Sequence, residues 1–268
     1  MSYRGRIAPT PTGYLHLGHA RTFWIAQQRA QSAGGNLLYR NENLDTSRCK
    51  PEYTEAALKD CQWLGLTWEG HPIHQADRID LYRNSFEQLQ TAGHLFPCTC
   101  TRRDIEQAVS APHGEDGETL YPGTCRDKMT SENLECNWRF RVPTGETIEF
   151  EDAHFGPQQF VAGRDFGDFP VWQKNGIPAY QLAVVVDDAA MNITEVVRGA
   201  DLLVSTARQL LLYRALNLEP PTFYHCDLMT DKEGNRLAKR DSALSLRSLR
   251  EEGKTPADLH GLWATNTV

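Results

Sequence analysis

Two histidines close to the N-terminus, His16 and His19, stand three residues apart. On the first turn of a helix this spacing places both imidazole rings on one face. There the rings could donate hydrogen bonds to a phosphoryl group as its negative charge grows, which would lower the barrier of a phosphate reaction. The same pair is also typical of a surface turn or of a zinc site, so the surrounding residues must decide what it does.

The segment around the histidines predicts a strand, a tight turn and a helix. Residues 3–8 have the length of a buried strand, two prolines and a glycine interrupt the chain after it, and residues 20–33 have a helical pattern that Gly34-Gly35 ends. The N-terminus of a helix at such a turn binds phosphate, because its backbone N–H groups are unpaired and the helix dipole is positive there. Gly18 would let a ligand approach the backbone closely.

A second strand is predicted over residues 36–40, and the order strand, helix, strand indicates a parallel unit with a right-handed crossover. Glu42 comes just after this strand. Acidic residues at the carboxyl edge of a parallel strand lie where open α/β sheets bind their ligands, although a solvated loop carboxylate would also explain this residue. Glu42 is therefore a candidate for substrate binding.

The rest of the chain predicts a framework of helices and strands. The continuously apolar run 183–186 predicts a strand that is covered on both faces, and Ser205 is a plausible N-cap for a helix over residues 205–216. Residues 138–142 and 147–151 alternate as the two strands of a hairpin. Further helices are predicted at 51–64, at 77–93 and in one or two short pieces within 241–268, and further strands at 168–172 and 193–197.

Two basic sites lie in the second half of the chain. Arg198 follows the strand predicted at 193–197, and a guanidinium is the natural partner of a substrate carboxylate through two parallel N–H bonds. A surface arginine would explain the same position. Residues 236–240 read R-L-A-K-R after a glycine-asparagine turn, and taken alone such a segment is usually a solvated run of charge.

Three of the seven cysteines, Cys98, Cys100 and Cys125, have a spacing that indicates a zinc site, because two lie within a short turn and the third beyond a loop. Chemistry alone nominates His113 as the fourth ligand, since imidazole is the commoner partner. No open position for a catalytic water is implied, so the metal would be structural. The remaining cysteines are most simply unpaired thiols: Cys49, Cys61, Cys136 and Cys226.

Composition bounds the class of protein. The 268 residues are 40% hydrophobic and 24% charged, which suffices for one large core or two small ones. No apolar run approaches the length that crosses a bilayer and no signal segment precedes the first strand, so a cytoplasmic protein that does not use a membrane is expected. The net charge of −7 argues against a surface coated for non-specific nucleic-acid binding, but it leaves room for a local basic groove.

The most specific pattern is R-I-A-P-T-P-T-G-Y-L-H-L-G-H over residues 6–19. It resembles the first signature of class I aminoacyl-tRNA synthetases, and its beginning resembles the glutamyl branch in particular. Residues 180–188 and 197–201 resemble Y-x-x-A-V-V-V-D-D and V-x-R-G-x-D of glutamyl-tRNA synthetases. Residues 236–240 stand where class I synthetases carry their second signature, K-M-S-K-S, and Lys239 is its consensus cation. The resemblance covers nearly all of residues 1–250.

This resemblance implies an α/β fold of the class I synthetase type. A Rossmann-type parallel sheet would be split by a zinc-containing insertion and followed by a small helical C-terminal region. The implied domains are the first half of the catalytic domain at 1–95, the connective insertion at 96–165, the second half of the catalytic domain at 166–204, and a helical region with the second signature at 205–268.

The resemblance also implies the roles of site residues. Lys239 would stabilise the leaving pyrophosphate with help from Arg236 or Arg240, and Glu42 would contact the amino group of bound glutamate. The implied catalytic residues are His16, His19 and Lys239; the implied glutamate ligands are Arg6, Thr10, Glu42, Tyr180 and Arg198; and the implied ATP ligands are Gly18, His16, His19, Arg236 and Lys239. This sequence departs from the family pattern at Thr10, Asn43, Arg236, Ala238 and Arg240.

The cysteine pattern points to one branch of the family. C-x-C followed by Y-x-x-x-C is similar to the zinc pattern of glutamyl-queuosine tRNA(Asp) synthetases, which implies Tyr121 as the fourth ligand and leaves His113 as its rival. A full glutamyl-tRNA synthetase continues into a helical domain that grips the anticodon, and this sequence has no room for one.

The implied function is therefore activation of L-glutamate with ATP and Mg²⁺, followed by transfer of glutamate to the queuosine at the wobble position of tRNA(Asp). A monomer is expected. Two other functions stay open. One is a truncated or discriminating glutamyl-tRNA synthetase that charges a tRNA 3′ end, and the other is a non-catalytic paralogue that binds RNA or a partner.

Overall fold

The computed structural model describes residues 2–101, 103–105, 120–128, 136–230 and 245–263. Strands and helices alternate over much of this length, as an α/β fold requires. In chain order the elements are β1 (Arg4–Ile7), α1 (Leu17–Ser32), β2 (Asn36–Asn41), α2 (Pro51–Trp63), β3 (Ile73–His74), α3 (Ile79–Thr91), β4 (Leu95–Cys98), β5 (Asn137–Phe140), β6 (Thr147–Asp152), β7 (Gly156–Val161), β8 (Pro170–Trp172), α4 (Tyr180–Ala190), β9 (Glu195–Gly199), α5 (Leu203–Ala215), β10 (Thr222–Cys226), α6 (Leu246–Glu251) and α7 (Pro256–Trp263).

The first half-sheet is the parallel unit that the sequence predicts. β1 pairs with β2 in parallel register from Arg4 opposite Asn36 to Ile7 opposite Tyr39, and β3 continues the sheet beyond β2. The helix between the first two strands begins at Leu17, with His16 as its N-cap, and ends before the glycine pair. The predicted strand–helix–strand order is therefore confirmed.

The second half-sheet has the order β7-β6-β10-β9, in which β9 and β6 both pair with β10 in parallel. It meets the first half-sheet where the Thr194 N–H donates to the Arg4 carbonyl at 2.8 Å. Two residues further along, Arg6 Nη1 donates to the Val197 carbonyl at 2.9 Å, so β1 and β9 run in the same direction. The carboxyl ends of both half-sheets consequently meet at one edge.

The predicted hairpin of residues 138–142 and 147–151 is wrong. Both segments are extended, but β5 belongs to an antiparallel sheet with β4 and β8, whereas β6 pairs antiparallel with β7 and lies in the second half-sheet. The tight turn that closes the real hairpin ends at Gly156, whose φ of 69° is the left-handed conformation that glycine adopts without strain. The division into four domains stays a prediction.

The predicted strand at 183–186 is also wrong, because these residues lie inside α4. Every side chain from Leu182 to Asp188 is buried, and a helix that is covered on all sides carries no polar face to reveal its period. Ser205 is not an N-cap either. α5 begins at Leu203 after a short 3₁₀ turn, and the Ser205 hydroxyl accepts a hydrogen bond from Gln181 at 3.1 Å.

The last described residues pack against the first half-sheet. Leu246 and Leu259 are fully buried in the same core as α1 and α2, and the Leu246 N–H donates to the Leu15 carbonyl at 2.8 Å. The predicted short C-terminal helices are thus confirmed as α6 and α7. Among the described residues, no helix is both long and apolar enough to cross a bilayer.

Candidate active site

A cavity of about 570 Å³ opens where the carboxyl ends of the two half-sheets meet. Its lining comes from β1, β9, the N-terminus of α1, the first residue of α4 and the segment after β10. Every described residue to which the resemblance gives a role at the substrates lies on this lining: Arg6, Thr10, His16, Gly18, His19, Glu42, Tyr180 and Arg198.

The two histidines are held by the backbone at the start of α1. His16 Nδ1 accepts from the Gly18 N–H at 3.1 Å, and His19 Nδ1 accepts from the His16 N–H at 3.3 Å, which forms a reciprocal cap. The ring centroids lie 3.8 Å apart. Because each Nδ1 is an acceptor, a neutral ring carries its proton on Nε2. Both side chains can therefore act as Nε2–H donors toward an anion.

Gly18 is fixed by the same contact. A Cβ atom at this position would lie 3.1 Å from His16 Cε1 and 3.2 Å from His16 Nδ1, which is closer than ordinary packing allows. A larger residue would therefore push the His16 ring away from its cap. The glycine serves the close approach of ring and backbone here, and it lines the cavity as the sequence predicts.

Arg198 lies at the carboxyl end of β9 and is almost completely buried. Its Nη2 donates to the Thr206 hydroxyl at 2.6 Å and its Nε donates to His225 Nε2 at 3.2 Å. Nη1 has no hydrogen-bond partner among the described residues. A buried guanidinium with one unsatisfied nitrogen at a cavity wall is suited to bind an anionic group of a ligand.

Glu42 and Arg6 lie on the same side of the cavity. Glu42 Oε1 accepts from Arg40 Nη2 at 3.1 Å, and Glu42 Oε2 accepts from the Thr10 hydroxyl at 3.3 Å. Burial raises the pKa of Glu42 against the opposing effect of the Arg40 and Arg6 charges. Arg6 Nε lies 3.6 Å from Asp188 Oδ1. The site thus combines a cation and an anion, as recognition of an amino acid requires.

Sequence reasoning missed the buried ion network beneath the cavity. Arg40 is fully buried and lies 2.5 Å from Asp188 Oδ1 and 3.7 Å from Asp187 Oδ2. The two aspartates directly follow the run 183–186 that was predicted as a strand, whereas they lie buried within α4. An arginine inside an otherwise apolar strand pattern was the only signal for this network. Tyr180, at the N-terminus of the same helix, has 39% of its side chain exposed and faces the cavity.

The family model described as tRNA synthetases class I (E and Q), catalytic domain, matches residues 2–262. The chain belongs to this family. ATP and Mg²⁺ are general to class I synthetases, and the family implies glutamate, ATP and tRNA as partners. The predicted class I synthetase fold is thereby confirmed.

Two similar proteins carry the name glutamyl-Q tRNA(Asp) synthetase. The protein from Nitratidesulfovibrio vulgaris is 43% identical over an alignment that covers 97% of this chain and 85% of its own. The protein from Symbiobacterium thermophilum is 44% identical, with 96% of this chain and 84% of its own covered.

Similar solved structures include a glutamate tRNA ligase from Elizabethkingia meningosepticum in complex with its amino acid. Its TM-score is 0.83 at 27% identity, and the match covers 98% of this chain and 60% of that chain. This class I synthetase chain therefore spans about three fifths of that ligase, but more than four fifths of the two glutamyl-Q tRNA(Asp) synthetases.

The synthetase carries a cluster of three thiols and a phenol outside the cavity. Cys100 Sγ lies 3.5 Å from Cys125 Sγ, and the Tyr121 hydroxyl lies 3.4 Å from Cys98 Sγ and 3.8 Å from Cys100 Sγ. Ligands about 2.3 Å from a tetrahedral zinc ion are separated by about 3.8 Å, and the three Sγ atoms lie within 4.8 Å of one another, which is compatible with a zinc site. Arg139 Nε donates to Cys98 Sγ at 3.3 Å.

Several predicted residues of the synthetase lie outside the described residues: His113, Arg236, Lys239 and Arg240. The described residues on either side of 231–244 contact the cavity or a residue that lines it. Met229 is part of the lining, and Ser245 forms an isolated β-bridge with His16. The roles of the second signature stay predictions.

Proposed function

We propose that the chain activates L-glutamate with ATP to form glutamyl-adenylate and then transfers glutamate to the queuosine at the wobble position of tRNA(Asp). One observation carries this proposal: a single cavity combines the unsatisfied nitrogen of buried Arg198 with the capped histidines at the N-terminus of α1. The names of the similar proteins from Nitratidesulfovibrio vulgaris and Symbiobacterium thermophilum supply the identity of the RNA.

Glutamate binding follows from the charges of the cavity. Glutamate has two carboxylates, and the one that reacts must stay free to attack phosphorus, so Arg198 holds the other through Nη1. Arg6 and Tyr180 complete the cationic and hydrogen-bonding side of the site. Glu42, fixed by Arg40 and Thr10, accepts from the ammonium group.

Adenylate formation needs positioning and charge stabilisation. A glutamate carboxylate oxygen forms a bond to the α-phosphorus of ATP while the bond to pyrophosphate breaks. The Nε2–H groups of His16 and His19 donate to the phosphates as charge develops, and Gly18 lets them approach the helix N-terminus. Lys239, assisted by Arg236 or Arg240, stabilises the leaving pyrophosphate. Mg²⁺ accompanies ATP and is held mainly by phosphate oxygens.

Transfer completes the reaction without a covalent enzyme intermediate. A hydroxyl of the queuosine attacks the carbonyl carbon of the adenylate, an ester forms, and AMP leaves. The proposal includes a monomeric protein that acts in the cytoplasm.

Zinc has a structural role in this proposal. Cys98, Cys100, Cys125 and Tyr121 would hold one ion, which would tie β4 to the segment 120–128. His113 is the rival of Tyr121 as the fourth ligand. None of the four described side chains lines the cavity, so the ion supplies cross-linking and no step of the reaction.

The test of the function is glutamate transfer to tRNA(Asp) with and without queuosine, together with pyrophosphate exchange in the absence of RNA. We expect glutamate-dependent exchange without RNA, and we expect transfer only to tRNA that contains queuosine. Transfer that ignored the modified base would refute the proposed acceptor. A complete lack of exchange and transfer would instead favour a non-catalytic paralogue.

One observation favours a second candidate, a glutamyl-tRNA synthetase that charges a tRNA 3′ end. A similar protein from Aquifex aeolicus, 38% identical over 95% of this chain and 55% of its own, is named glutamate–tRNA ligase. Transfer to tRNA(Glu), or to tRNA(Asp) that lacks queuosine, would select this candidate. The two outcomes therefore separate the functions in a single set of reactions.

A further inference from the structure

A buried histidine lies directly behind Arg198. His225 is in β10, where the strand register places it opposite Arg198 of β9, and its side chain is fully buried. Its Nδ1 lies 2.6 Å from Asp152 Oδ2, and Asp152 ends the neighbouring strand β6. Three adjacent strands thus contribute one side chain each to a line that ends at the cavity.

The direction of every hydrogen bond in this line is determined by chemistry. The Arg198 guanidinium can only donate, so His225 Nε2 accepts from Arg198 Nε at 3.2 Å, and the Thr206 hydroxyl, 3.0 Å from the same nitrogen, is then a second donor to it. His225 therefore carries its proton on Nδ1, which donates to Asp152. Burial, followed by the Arg198 charge, lowers the pKa of His225 to about 4. The imidazole is consequently neutral and has the tautomer that the arginine needs.

Asp152 is itself fixed in the ionised form. Its Oδ1 accepts from the N–H groups of His154 and Phe155 at 3.0 and 2.9 Å, and its Oδ2 accepts from the His225 N–H at 3.1 Å as well as from the ring. Burial opposes the charge of Asp152, but these backbone donors and the His225 ring hold its pKa below the usual range. Asp152 can therefore only accept from His225 Nδ1.

Two of the three nitrogen atoms of the guanidinium are thereby committed. Nε donates to His225 and Nη2 donates to Thr206, whereas Nη1 has no hydrogen-bond partner among the described residues. Rotation of the guanidinium would break both bonds in a buried setting, which costs free energy.

We infer that Asp152 and His225 are positioning residues, which orient Arg198 so that Nη1 is presented to the carboxylate of the amino acid. This inference rests on the proposed role of Arg198 in glutamate binding. It adds a specific requirement: the Nδ1–H tautomer of His225, imposed by Asp152, is part of glutamate recognition.

The sharpest variant is Asp152→Asn, which keeps the shape but offers one acceptor oxygen where the carboxylate offers two. The amide then either turns its NH₂ toward His225 Nδ1, which forces the proton to Nε2 against Arg198, or leaves the backbone donors unpaired. We expect KM for glutamate in pyrophosphate exchange to rise about 10- to 100-fold, with KM for ATP changed less than about threefold. An unchanged glutamate KM in a folded variant would overturn the inference.

A second pair of variants keeps the test decisive if Asp152→Asn does not fold. His225→Gln retains an acceptor for Arg198, whereas His225→Leu removes it at similar volume. The glutamate KM of the glutamine variant should be about tenfold lower than that of the leucine variant, and so closer to the wild-type value. Equal values for the two variants would contradict the positioning role. His94→Gln is the control, because His94 stacks on Phe140 and does not line the cavity.

The tautomer can be measured without any activity, which separates this inference from the proposed function. Nitrogen chemical shifts of ¹⁵N-labelled histidine in the intact protein should show His225 with Nδ1 protonated and Nε2 unprotonated at pH 7. Protonated Nε2, or an imidazolium, would refute the positioning role even in an active enzyme. A wild-type protein with the expected tautomer but without glutamate-dependent exchange would instead refute the proposed function.

Discussion

The cavity and the cysteine cluster both collect functional atoms from separate segments, but they hold these atoms in different ways. In the cavity Arg6, Glu42 and Arg198 are no more than 8% exposed, and each contacts a polar partner from another segment of the chain. The cluster of Cys98, Cys100, Tyr121 and Cys125 has only a small core of its own, which adds Phe96 and Ile105. A zinc ion would give these four residues one common partner.

The two regions differ in the process that supplies the free energy for bringing their polar groups together. Phe23, Val197 and Met229 of a large hydrophobic core line the cavity, so folding itself supplies the free energy that desolvates its charges. The cluster has too little apolar surface for this, and metal binding would supply folding free energy directly. A substitution in the cavity should therefore affect glutamate chemistry, whereas a substitution in the cluster should affect stability and metal content.

The largest effect is expected for Arg198→Ala. It removes the buried cation with its unsatisfied nitrogen, and glutamate-dependent pyrophosphate exchange should fall about 10³-fold in kcat/KM, because a lost buried charge partner costs about 3–5 kcal/mol. Arg164→Ala is the matched control, since Arg164 pairs with Asp165 at the surface and should change the rate less than about twofold. Comparable rates for the two variants would contradict the proposed role of Arg198 in glutamate binding.

Asp188→Asn tests the network below the cavity. The substitution deprives fully buried Arg40 of its closest counter-charge, and the free energy of unfolding in a denaturant titration should fall by about 3 kcal/mol. The control Asp127→Asn removes a carboxylate that is 92% exposed and lies 3.7 Å from Arg141, so it should cost less than about 0.5 kcal/mol. A small effect at Asp188 would mean that folding does not hold the charges of the cavity rigidly.

The complementary test acts on the cluster. We expect one zinc ion per chain in the wild-type protein and none in Cys125→Ser. The midpoint of thermal unfolding should fall by about 6–12 °C, because a loss of about 3 kcal/mol has this effect in a chain of this size. Glutamate KM should stay within about threefold, because Cys125 does not line the cavity. Cys49→Ser, at a half-buried cysteine outside the cluster whose thiol donates to the Glu42 carbonyl at 3.9 Å, is the control for zinc content. Full zinc content in the Cys125 variant would contradict the proposed ligand set.

The two regions also differ in what the sequence could predict. His16, Gly18 and His19 follow from the strand–turn–helix pattern, because the strand, the turn and the start of the helix all lie within residues 4–19. Cys98, Cys100 and Cys125 were likewise found from spacing alone. Both sets of residues form patterns within short segments, and such patterns can be recognised from one sequence.

The parts that were missed depend on contacts between distant segments. Asp152 and His225 lie 73 residues apart, and nothing in either local sequence indicates that parallel strands bring them together. The hairpin was mispredicted for a related reason, because the turn after β5 resembles a hairpin turn while β6 finds its partners in β7 and β10. α4 was mispredicted because tertiary packing buries all of its sides and hides the helical period.

The line of Asp152, His225 and Arg198 predicts that the stability of the protein depends on pH. The His225 pKa is lowered to about 4 by burial and by the Arg198 and Arg6 charges, against the effect of Asp152. In the unfolded chain His225 binds a proton near pH 6.5, whereas in the native state it stays neutral down to about pH 4. Stability is therefore lost as pH falls from about 6.5 to 4. The loss should reach about 2–3 kcal/mol, and His225→Gln should remove that part of it in denaturant titrations. An identical pH slope in the variant would show that His225 does not titrate as a buried neutral group.

The smallest effect is expected for Thr10→Ser, which tests whether the cavity tolerates a change that leaves its hydrogen bonds intact. The Thr10 hydroxyl donates to Glu42 Oε2 at 3.3 Å, and serine can make the same bond without the methyl group. Glutamate KM should change less than about threefold, whereas Thr10→Val, which keeps the volume but loses the donor, should raise it by about fivefold to tenfold. If serine raised the glutamate KM more than valine did, the methyl group and not the hydroxyl would determine the position of Glu42. In that case packing, and not the polar network, would set the geometry of this part of the cavity.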